Sequence, residues 1–207
     1  MTGLRLDQLE QARPDPERHW LIDGMVRAGS RTLVLGGPGS GRTLLATELA
    51  CAVATFTGCL GGPPPRQAGR TIVVTDDPFE TAQTARRLLT GRGLVRAAEA
   101  VWLPRPADPG QLPLQLCALS AQPAHLVVLD LNVTRGTCGR LAGWFDTAAR
   151  QGTTVVVLQR QDEDDWTGWR NRHATVSFDS CQQILAVTPD RGPARRALLI
   201  STPTTRG

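Results

Sequence analysis

Between Arg31 and Thr57 a strand pattern, a glycine-rich turn and a helical pattern follow one another without a break. Arg31-Thr32-Leu33-Val34-Leu35 is short, apolar and partly β-branched, as a buried strand is. It runs into Gly36-Gly37-Pro38-Gly39-Ser40-Gly41-Arg42-Thr43, and a helical pattern spans Thr43–Thr57, with Leu44 in its first turn. Glycines let successive backbone N–H groups turn inward and form a concave anion site. The following helix adds its unpaired first-turn amides and the positive end of its dipole. The spacing is that of the pattern G-x-x-x-x-G-K-[ST], with Arg42 in the Lys place. This order of elements predicts an α/β chain whose loop holds a polyphosphate.

Arg42 changes the chemistry of that loop. Lysine is a compact point charge, whereas arginine is longer, planar and forked. Positive charge is kept, but a single well-aimed stabiliser of a transition state is worth about 10²–10³ in rate. All 23 cationic residues of the chain are Arg, so the substitution follows a chain-wide preference. That preference does not restore lysine geometry.

Three further strand patterns are bounded by turn residues: Thr71–Thr75, Leu126–Asp130 and Thr153–Leu158, with a weaker one at Val101–Leu103. Helical patterns lie between them at Phe79–Leu89, Pro109–Ala121 and Cys138–Arg150. Alternating strands and helices predict βαβ crossovers, hence a mostly parallel sheet with helices on both faces. Val176–Phe178, Gln183–Val187 and Ala197–Ser201 read as strands joined by Pro/Gly turns, a short antiparallel C-terminal extension at one sheet edge. The expected organisation is an N-terminal helix or arm over 1–19, with leucines at helical spacing in 4–12, one domain over 20–201, and a tail over 202–207. Gly61–Gly69 is Pro/Gly-rich and is expected to be a mobile loop.

Acidic residues stand at the carboxyl ends of two strands, which face the ligand crevice in an open α/β sheet. Asp130 closes an apolar strand, as a carboxylate that holds Mg²⁺ does; capping the next segment is its alternative role. Asp76 and Asp77 close another strand. Asp77-Pro78 reads as a helix start, which leaves Asp76 to orient or deprotonate an attacking water. Gln159 either contacts a terminal phosphate through its amide or merely ends a strand.

The order of these pieces resembles the RecA-like superfamily of P-loop ATPases. Within it the chain is most similar to plasmid replication helicases of the RepA type and to related single-domain bacterial AAA ATPases. The likeness runs from Trp20 to about Ser201 and rests on Trp20-Leu21-Ile22 with Gly24, the glycine loop, Ala50–Gly62, Gly69-Arg70-Thr71, Asp76-Asp77-Pro78, and the strands to Asp130 and Gln159. It implies an ATPase that uses ATP and Mg²⁺, the metal held by Thr43 and Asp130. It also implies a homo-oligomer with nucleotide at subunit interfaces, or work beside a DNA-processing partner protein. Relatives usually carry Glu at the position of Asp76 and a His- and Lys-containing run after the Gln159 strand. With Arg42, Asp76 and Gln159-Arg160-Gln161 in those places, a slow or impaired ATPase is expected, or a non-enzymatic scaffold.

Asp162-Glu163-Asp164-Asp165 precedes Trp166, Trp169, Arg170 and Arg172. This stretch either stacks on the bases and phosphates of single-stranded nucleic acid or makes a polar protein contact. Arg195-Arg196 is either an arginine finger or ordinary exposed charge. A formal net charge of +4 tolerates nucleic acid without requiring it. The five cysteines are scattered with no C-x-x-C pair, and His19, His125 and His173 are far apart, so neither a disulfide framework nor a zinc site is expected. Leu44–Phe56, the longest apolar run, contains Glu48 and is too short to cross a bilayer. A cytoplasmic protein without a membrane partner is the expectation.

Overall fold

The computed structural model describes residues 20–37, 39–95, 97, 99–119, 124–131, 135–160, 183–189 and 197–203. The helix expected in 4–12, the strand at Val176–Phe178, and the stretches holding Trp166–Arg172 and Arg195-Arg196 lie outside them.

Nine strands are described. β1 (Trp20–Ile22) and β2 (Val26–Arg27) form a small antiparallel hairpin. The main sheet is built from β3 (Arg31–Gly36), β4 (Thr71–Thr75), β5 (Ala100–Pro104), β6 (Leu126–Asp130), β7 (Thr154–Arg160), β8 (Gln183–Pro189) and β9 (Ala197–Pro203). Its order is β5-β4-β6-β7-β3-β8-β9. Every neighbouring pair is parallel except β8 with β9.

The α/β architecture matches the expectation, and the antiparallel extension is present as β9. One detail differs. The middle segment of the expected extension, Gln183–Val187, belongs to β8 and lies parallel to β3. Residues 161–182 give more than the dozen that a parallel crossover needs, and β-rich composition alone does not reveal strand direction.

Among the described residues four α-helices connect the strands: α1 (Arg42–Thr55), α2 (Pro78–Gly91), α3 (Leu112–Leu119, entered by a 3-10 turn at Pro109–Gln111) and α4 (Arg135–Arg150). Side chains alternate along each strand, so two cores form. Leu33, Val74, Leu129 and Val157 face Leu116 of α3 and Trp144 of α4. Val34, Val73, Val128 and Val156 face Leu49 and Val53 of α1. The helices therefore cover both faces of the sheet.

α1 is buried from Leu45 to Val53, and α2 packs on it through Ala85 and Leu89 against Cys51. A helix enclosed all round leaves no face for a charge, yet Glu48 sits within it, 5% exposed. Its Oε1 accepts from the Arg92 guanidinium and from the amide of Leu60 at 2.9 Å. One carboxylate thus ties α1 to the end of α2 and to the turn after α1.

The second half of the Pro/Gly loop that composition marks as mobile is fastened to the domain. The amide of Arg66 donates to Leu21 O at 3.0 Å, Gly69 N to Val53 O at 3.1 Å, and Arg66 pairs with Asp23 at 3.2 Å. Pro65 is buried. Prolines stiffen the loop, and one of them supplies an anchor.

Among the described residues no helix is long and apolar enough to cross a membrane, and no group of His, Cys, Asp and Glu forms a metal cluster. Cys51, Cys59 and Cys117 are free thiols. Burial pushes the Cys51 thiol up to about 11 and the Cys59 thiol up to about 12; the charge of Glu48 adds to each rise and that of Arg92 opposes it.

Two outcomes are expected. Arg92→Ala strands a buried carboxylate and lowers stability by about 3 kcal/mol, read as a fall in the urea midpoint at constant slope; Glu48→Gln, which keeps an acceptor for Leu60, loses less. With native protein near pH 8, iodoacetamide modifies exposed Cys117 well before Cys51 or Cys59, by peptide mass mapping, because the thiolate is the nucleophile.

Candidate functional site

Parallel pairing brings the carboxyl ends of the central strands to one edge. In register across the sheet, Pro104 pairs Thr75, Thr75 pairs Asp130, Asp130 pairs Leu158, and Leu158 pairs Val34. Asp76, one residue past β4, and the loop after β3 therefore open on the same rim as Asp130. Gln159 lies within β7, beside Leu35 and half-buried, so the strand runs past it rather than ending there.

From Gly36 the chain must turn back at once to lay α1 on the sheet. Gly39 and Gly41 make that turn at φ +69° and +91°, where a side chain would be strained. Gly41 is the N-cap of α1 and offers no side chain to the helix amides; the first turn contains no acidic residue. The Leu45 amide takes Gly41 O at 2.8 Å, and the amides before it have no intrahelical acceptor. A helix start without a side-chain cap, with the positive end of its dipole, faces the rim.

A concavity of about 250 Å³ is lined by Gly37, Gly39, Ser40, Gly41, Arg42, Thr43 and Leu44. Pro38 lies outside the described residues. The Ser40 hydroxyl is buried and has no hydrogen-bond partner among the described residues. Arg42 lines the hollow without closing it. An orphaned donor and a set of convergent amides fit a phosphate anion.

Thr43 and Asp130, the two residues assigned to a metal, are brought together by a side-chain hydrogen bond. Burial lifts Asp130 above its ordinary value of 3.8; the Thr43 bond and the charge of Arg42 oppose that rise, and the charge of Asp76 adds to it. A desolvated carboxylate beside a hydroxyl is short of positive charge, the condition a divalent cation relieves. This pair therefore fits Mg²⁺.

The two acids after β4 divide their roles. Asp77 caps α2, accepting from the Glu80 amide at 2.9 Å with Pro78 at the helix start. Asp76 stays outside the helix, and its Oδ1 meets Arg105 Nε at 3.1 Å. Sequence reasoning did not reach Arg105. The signal was there in Pro104-Arg105-Pro106, a cation fixed between two prolines at a strand's carboxyl end. It also missed a second hollow of about 440 Å³ beside the first, lined by Thr43, Leu44, Glu80, Thr84, Arg87 and Leu88. Leu44, 49% exposed, borders both. That hollow needs α2 to dock beside α1, which no local pattern reports.

A family model described as an AAA domain matches residues 4–135, well over half of the 207. The matched stretch holds the glycine loop, Asp76, Arg105 and Asp130, and ends before Gln159. No curated protein matches the chain.

Asp130 makes the stability of the fold depend on pH. Its raised value means that its ionised form opposes folding: the favourable contribution is complete below the ordinary carboxylate value and is lost as pH rises through the raised one. Asp130→Asn is expected to raise the thermal midpoint of the nucleotide-free protein at pH 7, and to bring no such gain under acid conditions.

Proposed function

Because the chain belongs to the AAA domain family, we propose that it binds ATP with Mg²⁺ on the Gly36–Thr43 loop and hydrolyses it slowly. The observation that carries this reading is that Thr43, which lines an open anion hollow, also hydrogen-bonds the buried Asp130. The loop amides and the α1 N-terminus would hold the β- and γ-phosphates, with Arg42 adding charge. Thr43 and Asp130 would hold the metal, which when bound offsets phosphate charge. The larger hollow over Leu44 and Leu88 has the size and the apolar floor to take the nucleoside. Asp76 would orient the attacking water, and Gln159 would contact the terminal phosphate.

Slowness follows from side-chain lengths. Asp76 is one methylene shorter than the Glu of similar ATPases, and a group displaced by about 1 Å loses on the order of 100-fold. The resemblance to RepA-type helicases supports assembly with itself or beside a partner protein in the cytoplasm. Nucleic-acid contact would fall to Trp166–Arg172, outside the described residues.

A second reading, a nucleotide-independent scaffold, draws support from Arg42. Its charge already acts on Asp130, so a protein cation partly occupies the role of the metal.

Calorimetry with ATP, ADP and Mg²⁺ separates the two. Binding well below about 1 mM is expected, and its absence at that concentration ends the ATPase reading. Arg42→Lys is expected to raise the hydrolysis rate about 100-fold, as released phosphate. No gain despite intact binding favours the scaffold.

A further inference from the structure

We propose that Arg105 is a positioning residue that fixes the Asp76 carboxylate at the nucleotide rim. This rests on the hydrolytic reading of the site. Arg105 is attached at two points to the strand end that carries Asp76. Its amide donates to Thr75 O at 3.0 Å, extending the β4–β5 ladder by one residue, and its Nε meets Asp76 Oδ1 at 3.1 Å. Pro104 and Pro106 on either side restrict the backbone, so the guanidinium is presented from a stiff stem.

Asp76 needs such a partner. Its side chain is 42% exposed and lies past the end of β4, where no strand ladder holds it. Two free torsions would let the carboxylate sweep a wide arc. Arg105 selects one position and engages one oxygen, and water positioning can be done by the other. The pair also solves a charge problem. Asp76 and Asp130 stand on the same rim as the loop that would take a polyanion, and the charge of Asp76 is felt at Asp130. Arg105 neutralises that acid where the phosphates would arrive. It lines neither hollow, so its effect falls on the reacting geometry and not on nucleotide affinity. An ion pair this exposed adds little to stability, so variants at Arg105 are expected to fold.

The test uses the whole chain, with hydrolysis followed in the Arg42→Lys background. Arg105→Gln is expected to lower kcat about 10- to 100-fold while KM for ATP and the calorimetric affinity for ADP stay unchanged. Arg105→Lys should recover part of the loss. Adding Arg105→Gln to Asp76→Asn should cost nothing more, because both act through one carboxylate. An unchanged kcat, a loss seen only in affinity, or losses that multiply in the double variant would each overturn the proposal. So would a crystal structure of the nucleotide-free protein with the two side chains farther apart than about 4 Å. Failure of the underlying reading has a different signature: no ATP binding, or ATP binding without phosphate release even in the Arg42→Lys form, and in either case no reaction exists for Arg105 to serve and its role falls too.

Discussion

Main-chain bonds hold β3 on both sides, to β7 and to β8, both in the parallel sense. The end of β3 at Gly36 cannot shift without breaking one ladder or the other. Two cores press on the same strand, Leu33 and Leu35 into one and Val34 into the other. The glycine turn therefore starts from a fixed point, and α1 leaves it buried nearly all round. Rigidity at the root of the loop is what allows left-handed glycines at its tip to form a hollow of settled shape.

Charge at the rim is arranged around a shortage of water. Asp130 is drawn toward the neutral state by burial, against the Thr43 hydroxyl and the field of Arg42. Asp76 is exposed and satisfied by Arg105; Asp77 is spent on the helix start. Three carboxylates at one edge thus meet different fates, set by how much solvent each keeps and which donor it faces. The acid with the least water is the one suited to a metal.

The parts of this arrangement that could be read from the chain are those governed by neighbours in sequence. The β3–loop–α1 unit is a local event, since strand composition, glycine spacing and helix start follow one another. Asp77 as a cap is local too, signalled by Pro78 and confirmed by the Glu80 amide. β8 shows the opposite case. Its residues announce a strand, but its direction depends on a connection that local composition does not report. Asp76 and Arg105 each lie one residue past the end of adjacent strands, so their contact appears only once β5 is aligned on β4. The Glu48–Arg92 pair needs α2 to fold back on α1, and the second hollow needs the same event.

Among the described strands, β5 lies at one margin of the main sheet and β9 at the other. β5 finishes in Pro104, and β9 finishes in Pro203. Proline has no amide hydrogen, and a margin that ends in one offers an arriving strand an interrupted ladder. Growth by sheet-to-sheet stitching is discouraged at both borders. The proline at each border removes one donor from the ladder that an added strand would form there.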